Sequence, residues 1–407
     1  MKYRTRFLAL LLAGVMTLSL AACTGSEEPD DVPTSPSDST ETDTGSILPG
    51  DFVADTTVED LCLATADIPG DFELFTVNGV PVTARSYLYW LSYNISYLTS
   101  NGGSIDWSYS SDDRTLADYL KEDALNTSLL YSLVASNARE LGYEMTQEQT
   151  DELESTFAFT TMMLGSEEAF ADELRKVGLD YDTLYQINAA PYYYEELMNG
   201  LYDEPTDEEM DAYIEENDIL YAKHILLMTV NPTTGESLDE AAIAEKKATA
   251  ESLLSQLQAS TDLPTDFDTL MNEYSEDTGL ATNPDGYIFT AGQMVEAFET
   301  ATRALEFGQI SGLVESGFGY HIILRLDPDT ESTRQQYRAD LMTVQMQEWI
   351  DGADVVFTDE YEALNPRLFY EKFMAYQDAF TAEAEADSET DSTTDPAEES
   401  PAGSQEN

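Results

Sequence analysis

A chain of 407 residues with 42% hydrophobic residues, 24 Tyr and 16 Phe is long and apolar enough for two or three folded units with tails. Its 80 acidic residues against 18 basic ones give a net charge of −62, which argues against nucleic acid and anionic lipid surfaces as partners and favours basic clients. Two cysteines, Cys23 and Cys62, exclude a disulfide framework and a cysteine metal cluster.

Lys2, Arg4 and Arg6 precede an apolar run from Phe7 to Leu20. That run is short for a transmembrane helix, which needs about 20 apolar residues. It ends in Leu20-Ala21-Ala22-Cys23, which resembles the bacterial lipobox. The resemblance implies a lipoprotein signal peptide over residues 1–22 and a diacylated Cys23 as the new N-terminus. Residues 23–66 then read as an acidic, disordered tether, since Ser, Thr, Pro, Asp and Glu bury too little surface to order a chain.

Phe75 to Val82 reads as two short strands around Asn78-Gly79. Helices are expected at Ala84–Thr99, Asp113–Leu141, Thr146–Leu164, Ser166–Val177 and Tyr181–Leu201. In the second, Leu116, Leu120, Ala124, Tyr131, Val134, Ala138 and Leu141 share one face. Thr206 to Glu209 forms a capping box for a further short helix. From Ile219 strands and helices alternate: a strand to Met228, a helix capped by the Ser237-Leu238-Asp239-Glu240 box, a short helix opened by Thr265, a third helix from Met294 to Ala304, and a closing strand from Gly319 to Leu326. A helix from Glu331 to Trp349, a strand at Val355 to Phe357, a helix from Asn365 to Phe380 and a disordered acidic tail over 381–407 complete the reading. Cys62 reads as a small buried apolar residue or a free thiol.

The chain holds two histidines, and each lies in a β-rich run, Tyr221 to Leu227 and Phe318 to Leu324. A histidine in an apolar strand is ordinarily a satisfied core residue. Here the two begin and end one α/β segment, and pairing of its first and last strands would bring the imidazoles together.

Five collinear blocks carry a family resemblance. They are Ala222-Lys223-His224-Ile225-Leu226, Phe267 through Tyr274-Ser275-Glu276-Asp277, Gly292-Gln293-Met294-Val295-Glu296-Ala297-Phe298, Gly308-Gln309-Ile310-Ser311, and Gly317-Phe318-Gly319-Tyr320-His321-Ile322-Ile323. Together they resemble the parvulin, or PpiC-type, peptidyl-prolyl isomerase domain. The resemblance implies a twisted antiparallel sheet wrapped by helices under a shallow proline groove. By position it implies catalytic roles for His224, Asp277 and His321. It also implies an apolar pocket of Met294, Phe298 and Phe318, and supporting roles in substrate binding for Gln293, Ser316 and Tyr287.

No cofactor and no metal are implied. Zinc bound by His224, His321 and Asp277 is the alternative, and it lacks a closely spaced ligand pair. Two departures stand out. The family's usual Gly-Gly-Asp-Leu-Gly is replaced by Asn283-Pro284-Asp285-Gly286-Tyr287, so Tyr287 stands at one wall of the pocket in place of an apolar residue. The loop Thr229 to Thr234 lacks the Lys and Arg that phosphate-directed members carry there.

The whole layout resembles the PrsA foldase lipoproteins and, more loosely, SurA-like chaperones. The expected fold class is therefore α+β, with a parvulin domain at 218–328 inserted in a mainly α-helical chaperone domain formed by 67–217 and 329–380. The implied function is extracytoplasmic: isomerisation of X-Pro bonds in exported proteins and holding of unfolded clients at the membrane. A chaperone with an inactive parvulin domain is the alternative.

Overall fold

A computed structural model describes residues 45–99, 104–111 and 114–391; in the last helix side chains are described to residue 386. Cys23 and the apolar run before it lie outside the described residues. The chain divides into two compact units. One runs up to Leu201 and resumes at Leu341, and the other spans Tyr202–Asp340.

The first unit opens with α1 (Leu61–Ala66), whose N-cap Asp60 accepts the backbone N–H groups of Cys62 and Leu63. Strands β1 (Glu73–Val77) and β2 (Val80–Thr83) follow. The Asn78-Gly79 turn between them has positive φ at both residues, the geometry a two-residue hairpin requires. Next come α2 (Ala84–Thr99), the short pair β3 (Ser110–Ser111) and β4 (Arg114–Thr115), α3 (Leu116–Leu141), α4 (Gln147–Leu164), α5 (Glu167–Lys176) and α6 (Tyr181–Leu201). Thr115 and Thr146 close capping boxes on α3 and α4, and Gly142 and Gly165 end them in the left-handed conformation.

The second unit holds α7 (Asp207–Glu216), β5 (Leu220–Met228), α8 (Glu240–Gln258), α9 (Leu263–Tyr274), a 3₁₀ turn at Thr278–Ala281, β6 (Tyr287–Phe289), α10 (Glu296–Arg303), β7 (Val314–Glu315) and β8 (Gly319–Leu326). The sheet is antiparallel in the order β6-β5-β8-β7. β5 and β8 read as almost unbroken apolar runs because both faces of the sheet are covered. On one face Ile225, Leu227, Tyr320, Ile322 and Leu324 pack with Leu253 and Leu257 of α8 and Phe267 and Met271 of α9. On the other, Leu220, Ala222 and Ile323 pack with Phe289 and with Phe298 of α10. The side-chain period of two along a strand assigns each residue to its face.

The long helix α11 (Glu331–Asp351) leads back to the first unit, which β9 (Val355–Phe357), α12 (Asp359–Ala363) and α13 (Pro366–Asp391) complete. β9 pairs with β1, so its sheet has the order β2-β1-β9. Phe75 lies at the centre of this junction, 1% exposed, with its ring against Tyr87, Phe357 and Tyr361. Among the described residues no helix is long and apolar enough to cross a membrane.

The structure corrects the sequence expectations in four places. The tether expected over 23–66 is folded at its end: Leu61 and Cys62 are buried, and Leu61 packs against Tyr376 and Phe380 of α13. A six-residue helix carries too few apolar repeats to be read as periodic. The cap of α8 is Asp239, whose side chain accepts the N–H of Ala242, and no capping box forms with Ser237. α9 begins at Leu263, ahead of Thr265, with Pro264 in its first turn, where the absent N–H costs nothing. The tail expected from 381 is helical to Asp391, as the high helix propensity of Ala382, Ala384 and Ala386 favours. Cys62 is buried and unbridged, and burial pushes its thiol up to about 12.

Phe75→Ala is expected to destabilise the chain by about 3–5 kcal/mol, because it empties a buried site packed against three aromatic rings. Urea denaturation of the full chain checks this, and Phe75→Leu, which keeps more of the volume, is expected to cost less.

Candidate active site

The register of β5 against β8 places His224 opposite Ile323 and Leu226 opposite His321. The two histidines are therefore diagonal neighbours on one face of the sheet. Their rings stack with centroids 5.3 Å apart, and their Nδ1 atoms lie 3.0 Å from each other. Phe298 of α10 meets both rings nearly edge-on, at 5.2 Å from His224 and 5.7 Å from His321.

Asp277 reaches this pair because the segment before it is bonded along β5. The N–H of Leu226 donates to Ser275 Oγ, the N–H of Glu276 donates to the carbonyl of Leu226, and the N–H of Met228 donates to Glu276 Oε2. Lys246 pairs with the other oxygen of Glu276. With Ser275 and Glu276 held in this way by three bonds, Asp277 Oδ2 lies 2.9 Å from His224 Nε2. The same oxygen accepts the hydroxyl of Tyr287 at 2.5 Å, and Oδ1 accepts the N–H of Gly279 at 3.0 Å. At the far end, Ser316 Oγ lies 2.6 Å from His321 Nε2 and accepts the N–H of Phe318.

The result is one continuous chain of hydrogen bonds. Asp277 is held well below the ordinary carboxylate value, first by the His224 bond, then, against the opposing effect of burial, by the Tyr287 and Gly279 bonds. A carboxylate only accepts, so His224 Nε2 donates to it. With both rings neutral, His224 Nδ1 then accepts from His321 Nδ1–H, and His321 Nε2 accepts from the Ser316 hydroxyl. Burial, reinforced by the neighbouring His224, brings His321 down from 6.5 to about 4. A ring held neutral at neutral pH suits this order of donors.

The structure thus brings His224, His321, Asp277, Ser316, Tyr287 and Phe298 together. Met294 packs on the cluster containing Phe298, Phe289 and Ile323. Phe318 is 49% exposed and Phe298 3%, so Phe318 is open to solvent while Phe298 supports the histidines from within. Gln293 is exposed, and its Oε1 accepts the N–H of Thr290, closing the turn before Met294.

Sequence reasoning missed the residues that hold this frame. Ser275 and Glu276 align Asp277. Glu299 accepts the N–H of Gly292 at 2.8 Å, and Arg303 clamps Glu299 and Asp218 together, which fixes the loop carrying Met294. An acidic residue one helical turn before an arginine was the available signal. Among the described residues no group of three or more His, Cys, Asp or Glu side chains is arranged to hold a metal ion. In the His224–His321–Asp277 group the two Nδ1 atoms bond to each other and His224 Nε2 bonds to Asp277. The loop after β5 is folded on Asn231, whose Oδ1 accepts the N–H groups of Thr233 and Thr234.

Residues 224–327 match the family described as "Rotamase: PPIC-type PPIASE domain". A foldase protein PrsA of Halalkalibacterium halodurans is 30% identical over 275 residues, spanning 62% of this chain and 75% of that protein. A foldase protein PrsA of Staphylococcus aureus is 28% identical over 297 residues, 70% of this chain and 85% of that one. A chaperone SurA of Chromohalobacter salexigens is 36% identical over 128 residues, 29% of this chain and 26% of that one.

Since His321 is harder to protonate folded than unfolded, the unfolded chain binds the extra proton between about 6.5 and 4. Its contribution to stability, about 3 kcal/mol, is present above 6.5 and lost as the pH falls towards 4. The imidazole resonance of His321 in the full chain is expected to titrate near 4, and the denaturation midpoint of wild type to fall more steeply with acid than that of His321→Gln.

Proposed function

Because the chain belongs to the PrsA family of foldases and carries a PpiC-type peptidyl-prolyl isomerase domain, we propose that the network running from Ser316 to Asp277 is where X-Pro bonds of unfolded, exported clients are rotated. The barrier of about 18–20 kcal/mol comes from amide resonance, so the protein has no bond to carbon to make. It has to favour the twisted amide, in which the nitrogen lone pair and the carbonyl are no longer conjugated. Phe318 and Met294, backed by the buried Phe298, supply an apolar seat for the proline ring and displace water from it. His224, His321 and Asp277 supply fixed dipoles and a charge that need no reorganisation as the amide twists. The observation that carries this reading is the 3.0 Å contact between His224 and His321 within a chain whose every link has a partner.

The finer roles follow the same logic. Gln293 braces the turn that presents Met294. The helical first unit holds unfolded segments of clients, and the acidic exterior draws basic ones. Diacylated Cys23 ties the protein to the outer face of the membrane, with the residues after it as spacer. The loop from Thr229 to Thr234 offers no cation for a phosphate, so clients are not selected by phosphorylation before proline.

A protease-coupled prolyl assay on the full chain tests the central claim. Wild type is expected to accelerate cis-to-trans conversion of X-Pro peptides, and His224→Ala to reduce kcat/KM by at least about tenfold, as loss of a fixed transition-state dipole does. An inactive wild type would leave a client-binding chaperone as the function. For the anchor, the expressed protein is expected to partition into the detergent phase and Cys23→Ser into the aqueous phase.

A further inference from the structure

Tyr287 stands where the sequence comparison with parvulins places a pocket wall. Its placement begins with Gly286, which has φ of 104° and lies so near β5 that an added Cβ would come within 2.6 Å of the Ala222 carbonyl oxygen. That close approach pairs β6 with β5 and sets Tyr287 opposite Ala222. The half-buried ring packs on the Phe298 cluster and meets the His224 ring edge-on at 5.8 Å. Its hydroxyl is turned inward onto Asp277 Oδ2, the oxygen that also accepts His224 Nε2. The two sites are fitted to each other: a Cβ on Gly279, whose N–H bonds the second Asp277 oxygen, would collide with the tyrosine hydroxyl.

From this geometry we propose that Tyr287 is a positioning residue, which works through Asp277 to orient His224, and is not a grip for the proline ring. Three donors, from His224, Tyr287 and Gly279, fix the Asp277 carboxylate in one rotamer. The carboxylate in turn fixes the tautomer and the plane of His224. Removing the hydroxyl leaves the ring and the pocket wall in place but frees the carboxylate to turn. Burial and the Asp277 bond both keep the phenol protonated, so it remains a donor through the working range. The altered Asn283-to-Tyr287 stretch thereby replaces an apolar wall with a wall that also braces the polar network.

This proposal rests on the isomerase reading above, and its test separates the two. Tyr287→Phe, Asp277→Asn and the double variant are compared in the full chain. Tyr287→Phe is expected to lower kcat by about tenfold, the factor one hydrogen bond to a charged group is worth, while KM stays within about twofold. In the Asp277→Asn background the same change is expected to have almost no further effect. The ¹³Cγ resonance of Asp277 is expected to move in Tyr287→Phe at pH 7, a readout that needs no activity. An unmoved resonance, a loss in KM alone, or an equal effect in both backgrounds overturns the proposal while the isomerase reading stands. No activity in wild type overturns the isomerase reading, and with it the role of Tyr287 in isomerisation.

Discussion

The bond between the two Nδ1 atoms of His224 and His321 is what the second unit is arranged around. It exists only in one register of β5 against β8. A shift of one residue would turn either imidazole to the opposite face, among Ile225, Leu227 and Ile322. A buried ring there would lack partners for two polar nitrogens, at a cost of about 1–3 kcal/mol for each unsatisfied group. Packing and polarity therefore specify the same pairing: the apolar residues select the faces, and the histidines penalise any slip.

From that bond the network extends in both directions with no free link. Ser316 is turned towards His321 by the Phe318 N–H, and Asp277 is turned towards His224 by the bonds that the Ser275 hydroxyl and the Glu276 backbone make along β5. The arrangement is polar inside and apolar at its open edge, where Phe318 is exposed. An unfolded segment presents both a ring and an amide, and in the proposed function this site offers each its counterpart without requiring a charged side chain on the client. The acidic exterior acts at longer range. In the proposed function it biases which clients approach but does not select the bond that is turned.

Much of this could be read from the sequence, for physical reasons that are easy to name. The helices from Ala84 to Leu201 announce themselves through apolar spacing and through Thr and Gly at their ends, and their limits fall within a few residues of expectation. The histidines stood out because the chain holds only two and each lies in a largely apolar strand. What could not be read depends on backbone geometry or on distant partners. The inward turn of Tyr287 follows from a left-handed Gly286 and a strand of three residues. The frame built by Glu276, Glu299 and Arg303 consists of charged residues indistinguishable, in sequence, from a solvated surface. α1 is helical because α13, some 300 positions later, covers it.

The same separation governs how the protein can be made. Thr358 donates its hydroxyl to the carbonyl of Leu74, 284 positions earlier, next to the pairing of β1 with β9. A chain delivered from its N-terminus cannot finish its first unit until nearly nine-tenths of it has emerged. Closing so long a loop costs about 5 kcal/mol of chain entropy in the flexible limit. The second unit, whose strands are all drawn from one contiguous stretch, can form beforehand and shorten the span that has to close. Biogenesis of this foldase is thus ordered by its own topology. The inserted unit is complete first, and the unit surrounding it in sequence remains an incomplete, client-like chain until its last quarter arrives.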